Sequence, residues 1–344
     1  MEKRYSDYNA YLRSLFGCRV QKISIDAGLT CPNRDGTVGT GGCIYCNDKG
    51  SGTGTFHQGL SITRQIHQSR EKLARRYKAK KFIAYFQSFS NTYAPISTLK
   101  RLYDEALGFP DMVGLAIGTR PDCISSEILD LLADYAKSRL IWIEYGLQSA
   151  NDDTLKRINR GHTLECFLNA VSETRNRGIS ICAHVILGLP GETPEMMRHT
   201  ARVIADSGID GVKIHLLYVI RNTPLHVLYQ RGEYTCLTRG EYTDRVCDFL
   251  ELLPPRMIIQ RLTGDPHPDE LIAPGWAMEK AQNLIHIQKT LESRDTWQGK
   301  YSFPDKDFGC VIGRGWPRKA YPFPAAIPKS LSEKLYYLEQ KENS

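Results

Sequence analysis

An alternation of strand-like and helix-like segments runs from residue 20 to residue 218, and it limits the fold more than any other feature. Short apolar or alternating runs at 20–25, 82–87, 112–117, 140–145, 179–187 and 212–218 read as strands. Between them, 61–80, 96–107, 125–137, 163–177 and 194–207 have helical spacing. Ser125 or Ser126 caps the third of these helices, and Gly178 and Gly208 stop the last two. A helix between two strands returns the chain to the edge it left, so the strands pair in parallel with right-handed crossovers. Six strands are too few to close an eight-stranded barrel. A three-quarter barrel or an open doubly wound sheet remains.

The strands carry a second pattern. Ile23 and Ile25 alternate with Lys22, Ser24 and Asp26; Ile141 and Ile143 with Trp142 and Glu144. Ile181, Ala183 and Val185 alternate with Cys182 and His184, and Val212, Ile214 and Leu216 with Lys213 and His215. Surrounding helices require the apolar face, so the polar set faces the barrel lumen. A closed barrel fills its lumen with branched apolar side chains. Polar residues there point instead to a wet, substrate-sized cavity, with Glu144, His184, Lys213 and His215 as candidate catalytic groups. The competing reading is a buried, mutually satisfied ion network. After residue 220 the rhythm changes: helices fit 239–252 and 277–291, and the tail from 296, rich in Pro, Gly and aromatics, reads as an irregular cover.

Composition excludes several classes. With 41% hydrophobic and 24% charged residues among 344, the chain is not disordered, collagen-like or coiled-coil. No run approaches 18 uninterrupted apolar residues and the N-terminus has no apolar segment, so the expectation is a cytoplasmic protein with no membrane contact. The net charge of +7 suits a polyanionic partner without requiring one. Two stretches are candidates for RNA contact. One is the basic run Lys72, Arg75, Arg76, Lys78, Lys80 and Lys81, and the other is the tail from Arg314 to Phe323, which interleaves basic and aromatic residues. A solvated helix face and a proline-stiffened flap explain them equally simply.

Seven of the ten cysteines are scattered, as small core hydrophobes usually are. Cys31, Cys43 and Cys46 are grouped in the Gly-rich loop after the first strand, at the sheet edge where α/β enzymes build their sites. Two residues between Cys43 and Cys46 let both thiolates address one centre, and the spacer from Gly36 to Gly42 can bring Cys31 alongside. Three thiolates suit a [4Fe–4S] cluster with one iron left free of protein ligands. Zinc, a thiol redox pair and coincidence stay open on spacing alone.

At these residues the sequence resembles the radical S-adenosylmethionine (SAM) superfamily. Four elements match in order, each after a strand: the three-cysteine loop with Tyr45 before its last cysteine, Gly118-Thr-Arg-Pro-Asp122, Gly146-Leu-Gln-Ser149 and Gly188-Leu-Pro-Gly-Glu192. The long spacer before Cys43, Tyr85-Phe-Gln-Ser-Phe-Ser-Asn-Thr-Tyr93 and Leu155-Lys-Arg-Ile-Asn-Arg-Gly-His162 resemble the branch holding the Elongator catalytic subunit. Nearly the full length resembles the YhcC/YtqA-type proteins. The resemblance implies an α/β fold, a partial (β/α)6 TIM-type barrel with a helical and irregular C-terminal extension. The chain then divides into an N-terminal helix (1–17), the barrel (18–220) and the extension (221–344).

It implies a radical SAM enzyme with a [4Fe–4S] cluster on Cys31, Cys43 and Cys46 and with SAM as second cofactor. Tyr45 is expected near the adenine, Gly188 and Pro190 at the nucleoside, and Gln148 at the ribose or methionyl part. Arg120 is expected on the SAM carboxylate, with an ion pair to Asp122 as the plainer reading. Gln87 and Ser88 stand where the family often has Gly-Gly-Glu for the SAM amino group. The implied substrate is the wobble uridine in a tRNA anticodon loop, taken from the 5-carboxymethylaminomethyl form toward the aminomethyl or methylaminomethyl form. The implied partners are a flavodoxin- or ferredoxin-type electron donor and a downstream tRNA methyltransferase. Rival readings are radical chemistry on a protein side chain or small metabolite, and a non-catalytic Fe–S protein.

Overall fold

A computed structural model describes residues 3–50, 54–56 and 58–302. Helix α1 (Tyr8–Phe16) comes first; the Asp7 side chain accepts from the Ala10 N–H at its start, and Gly17 ends it in the left-handed region. Then strands and helices alternate: β1 (Val20–Ile25), α2 (Ile62–Tyr77), β2 (Lys81–Phe86), α3 (Ile96–Leu107), β3 (Met112–Thr119) and α4 (Ser126–Ala136). They continue as β4 (Leu140–Gln148), α5 (Asp152–Arg157), α6 (Leu164–Thr174), β5 (Ser180–Leu187), α7 (Pro194–Asp206) and β6 (Gly211–Leu216). Side chains of Ser61, Ser125, Thr163 and Thr193 cap four of these helices. Beyond them lie β7 (Val219–Ile220), α8 (Pro224–Gln230), α9 (Arg239–Leu252), β8 (Ile258–Arg261), β9 (Leu271–Ala273) and α10 (Lys280–Ser293).

The main sheet is wholly parallel, in the order β1-β2-β3-β4-β5-β6-β8, and curls into a partial barrel. Six strands were expected; the seventh, β8, comes from the segment after residue 220 and pairs with β6 through Gly211↔Ile258 and Lys213↔Arg261. Four residues are too few to show periodicity, so sequence pattern passes over it. The same holds for the short α5 and α8. The ladder between β7 and β9 is antiparallel and separate.

The outer face of the sheet packs against the helices, and Ile23, Ile117, Ile143, Val185 and Ile214 are buried there. The lumen is closed at the end where the strands begin. Tyr8 and Tyr11 of α1 stand edge-on to Trp142, with ring centroids 5.8 and 6.1 Å away. Tyr11, Leu12 and Phe16 are buried in this plug. The open end is therefore the one where the strands finish.

That geometry settles which way one basic stretch faces. A crossover helix runs antiparallel to its strands, so α2 starts near the open end and finishes at the plugged end, where β2 begins. Lys72, Arg75, Arg76, Lys78 and Lys80 are exposed there, and Lys81 is the first residue of β2. The run is a solvated helix end facing away from the mouth of the barrel. The tail Arg314–Phe323 lies outside the described residues. None of the described helices is long and apolar enough to cross a membrane.

Candidate active site

The loop after β1 folds back on itself through turns: Arg34 N–H donates to the Cys31 carbonyl at 2.9 Å, Gly42 N–H to Asn33 at 2.8 Å, and Cys46 N–H to Cys43 at 3.0 Å. Gly41 and Gly42 both take positive φ, which lets the spacer double back. Cys31, Cys43 and Cys46 are free thiols that line one cavity of about 240 Å³ at the open end of the barrel. Burial raises the Cys46 thiol, and the neighbouring Cys43 raises it further against the pull of Arg34. Two donors approach Cys43 Sγ: Arg160 Nη1 at 3.6 Å and Asn33 Nδ2 at 3.8 Å. The Arg160 fork is anchored by Nη2 on the Gly146 carbonyl at 2.7 Å. A Cβ on residue 146 would sit 2.4 Å from that Nη2, so any larger residue there would displace the fork.

Three free thiols on one cavity, one of them receiving N–H donors, form a donor set that fits a [4Fe–4S] cluster. In such a cluster each thiolate binds a different iron. Among the described residues no three His, Cys, Asp or Glu side chains are grouped to hold a single metal ion.

Deeper in the barrel, Glu144 in β4 is fully buried. It accepts from Lys22 Nζ at 2.6 Å, from His184 Nε2 at 2.9 Å, and from Lys213 Nζ. Burial opposes its charge, but Lys213, Lys22 and His184 outweigh it and hold the carboxyl well below its ordinary range. Burial pushes the Lys213 ammonium down to about 7, with Glu144 pulling the other way. Burial and then Lys213 lower His184 to about 4. His215 lies beside it, ring centroids 5.1 Å apart, and is held well below its ordinary value by burial, His184 and Arg261. Its Nε2 is buried without a hydrogen-bond partner. Glu144, His184 and His215 line the cavity, while Lys213 stands behind the wall over the Tyr85 ring, 4.1 Å from its centroid. The lumen is thus a cavity and an ion network together. It presents a charged carboxylate backed by the Lys213 ammonium, and two imidazoles that burial holds toward the neutral form.

The positions expected to meet SAM divide. Tyr45, Gln87, Arg120 and Gln148 line the same cavity. Gln87 Oε1 accepts from Ser24 Oγ at 3.2 Å, and Gln148 takes φ +75° beside the irregularity that ends the β4–β5 ladder. Arg120 is committed elsewhere: Nε and Nη2 fork onto Asp122 at 2.8 and 2.6 Å, and Nη1 donates to the Arg160 carbonyl at 2.7 Å. The plainer reading of Arg120 is the one the geometry favours. Ser88, Gly188 and Pro190 are not in the cavity wall. Gly188 takes φ +88° in a turn whose carbonyl accepts from Tyr234 Oη at 3.0 Å, and the Pro190 carbonyl accepts from Arg157 at 3.1 Å. Those two serve the strand-to-helix turn. Sequence reasoning missed Arg160, Arg34 and Arg261 as cavity residues. Arg160 does lie in the segment Leu155–His162, whose likeness to the Elongator branch was the signal available.

Comparison with known protein families agrees with this geometry. Residues 34–204 match the model of the radical SAM superfamily, and residues 209–293 that of the radical SAM C-terminal domain. The chain belongs to the radical SAM superfamily, whose members are enzymes that use a [4Fe–4S] cluster and SAM. YtqA of Bacillus subtilis (strain 168) is 41% identical over 300 residues, covering 87% of this chain and 93% of that one. A tRNA uridine(34) acetyltransferase of Dehalococcoides mccartyi (strain CBDB1) is 31% identical over 156 residues, 44% of this chain and 33% of that one. Among solved structures, the archaeal Elp3 of Methanocaldococcus infernus shares the fold with a TM-score of 0.60 at 19% identity, covering 81% of this chain and 64% of that one.

Proposed function

We propose that this radical SAM enzyme modifies the wobble uridine of tRNA, taking the 5-carboxymethylaminomethyl group toward the aminomethyl or methylaminomethyl form. The observation that carries the substrate is the 31% identity, over 156 residues, with a protein named for uridine 34 of tRNA. The net charge of +7 suits a polyanionic substrate. An anticodon loop is single-stranded, so a base can be splayed into a pocket for a few kcal/mol of unstacking.

In this reading Cys31, Cys43 and Cys46 hold the cluster, and Arg160 and Asn33 orient Cys43 through their N–H groups. A cluster held there would supply the one-electron reductive chemistry on SAM that the superfamily uses. Tyr45, Gln87 and Gln148, which line the same cavity, would flank SAM. Glu144, itself held by Lys213 behind the wall, fixes His184, and His184 and His215 hold or move protons at the substrate end of the cavity. The α1 plug keeps water from entering behind. A flavodoxin- or ferredoxin-type donor provides the electron, and a methyltransferase consumes an aminomethyl product.

Nucleoside analysis of tRNA from cells lacking the protein tests the proposal. Accumulation of 5-carboxymethylaminomethyl-uridine, with or without 2-thiolation, is expected. An unchanged wobble-nucleoside profile overturns the tRNA reading.

A further inference from the structure

Four guanidinium groups line the cavity: Arg34, Arg120, Arg160 and Arg261. Three are committed to the protein. Arg34 donates to the Cys46 and Asn47 carbonyls at 3.0 and 2.6 Å. Arg120 is held by Asp122 and the Arg160 carbonyl, and Arg160 by the Gly146 carbonyl and Cys43 Sγ. The fourth, Arg261, is the last residue of β8 and makes no side-chain hydrogen bond or ion pair among the described residues.

The carboxylates of the wall are engaged elsewhere. Glu144 is surrounded by Lys22, Lys213 and His184, and two ammonium groups against one carboxylate leave no spare negative charge there. Asp265 pairs with Lys280 at 2.7 Å. Next to this unmatched cation lies a second unmet group, the buried Nε2 of His215. His215 stands on β6, the strand that pairs with β8. β1 and β8 are the two edges of the sheet, and its curl brings them together: Lys22 Nζ of β1 donates to Gln260 Oε1 of β8 at 2.7 Å, so Arg261 meets the cavity where the barrel closes on itself. A guanidinium fork with free donors matches a planar carboxylate in two parallel hydrogen bonds.

We propose that Arg261, with His215 Nε2 beside it, binds a carboxylate carried by the substrate at the β8 edge of the cavity. The inference deepens the tRNA reading and rests on it. A 5-carboxymethylaminomethyl group carries such a carboxylate, whereas the aminomethyl product does not. The product therefore loses the contact and leaves, and the site discriminates substrate from product by an ionic hydrogen bond.

Binding without turnover tests this. Anticodon stem-loops carrying 5-carboxymethylaminomethyl-uridine, 5-aminomethyl-uridine or plain uridine are titrated against the anaerobically reconstituted full-length protein and its Arg261→Gln and Arg261→Lys variants, with SAM affinity measured in parallel. The wild type should prefer the carboxylate-bearing RNA over both others by about tenfold or more, the scale of a charged hydrogen bond. Arg261→Gln should bind all three alike, and Arg261→Lys should keep part of the preference, since it retains charge but not the fork. Equal binding of the three RNAs by wild type overturns the Arg261 proposal and leaves the tRNA reading standing. No binding of any RNA overturns the tRNA reading and this proposal with it. A loss of SAM affinity in Arg261→Gln as large as the loss of RNA preference assigns the contact to the cofactor's own carboxylate and overturns the proposal.

Discussion

Removing the Glu144 carboxylate would leave Lys22 and Lys213 as two ammonium groups in the lumen without their shared partner. Breaking a buried pair by deleting one member costs about 3–5 kcal/mol. Glu144→Ala should therefore lower stability by that order, measured by urea unfolding, and its loss of turnover will be mixed with loss of fold. His215 is a cleaner probe. Its Nε2 has no partner to lose, so His215→Ala should cost only about 1–2 kcal/mol and keep the iron. Turnover should still fall about 100-fold or more, the scale of a lost general acid or base. Turnover that survives in His215→Ala removes that residue from the chemistry. For the cysteines, reconstituted protein should hold about four irons per chain, and Cys31→Ala, Cys43→Ala or Cys46→Ala should each lose them. Cys166→Ala and Cys247→Ala should retain them. Full iron retention in Cys43→Ala refutes the ligand assignment.

At the scale of elements, α1 deserves the closest test, because it lies outside the alternating pattern yet closes the barrel. Tyr11 is 3% exposed and its ring meets Trp142 edge-on. Tyr11→Ala should cost about 3–5 kcal/mol, the range for deleting a buried aromatic ring. The plug is distant from the cysteine loop in the fold, so iron binding should persist while the unfolding midpoint drops. A midpoint unchanged from wild type would show that α1 covers the barrel without supporting it.

Across the whole molecule, charge must be read by face. Ionic contacts with RNA weaken steeply as salt rises. The α2 basic run faces the plugged end, so replacing Lys72, Arg75, Arg76 and Lys80 with neutral residues should leave the affinity for an anticodon stem-loop nearly unchanged. Arg221 is exposed and follows Ile220, which lines the cavity mouth. Arg221→Gln should weaken binding at every wobble nucleoside and lower the salt slope by about 1, as for one phosphate contact. The reverse ranking, read from titrations at two salt concentrations, would place the RNA on the far face.

Local pattern carried most of the architecture. Ile141 and Ile143 alternating with Trp142 and Glu144 record which face of a strand is dry, and a capping Ser125 or Thr193 acts within three residues. Such signals need no knowledge of distant chain. They made the parallel sheet, the polar lumen and the shared loop of Cys31, Cys43 and Cys46 legible in advance. Contacts between remote residues were not legible in this way. Glu144 meets Lys22 across 122 positions, and Arg160 meets Cys43 across 117. Arg120 could be assigned to Asp122 only once its three donor directions were seen to be filled. Strand β8 was too short to announce itself, so Arg261 reached the cavity unforeseen. The basic run of α2 was visible as charge, but whether it faced the mouth or the plug depended on the direction of a crossover helix. Periodicity reports burial one element at a time, whereas partners and faces exist only after the elements have packed.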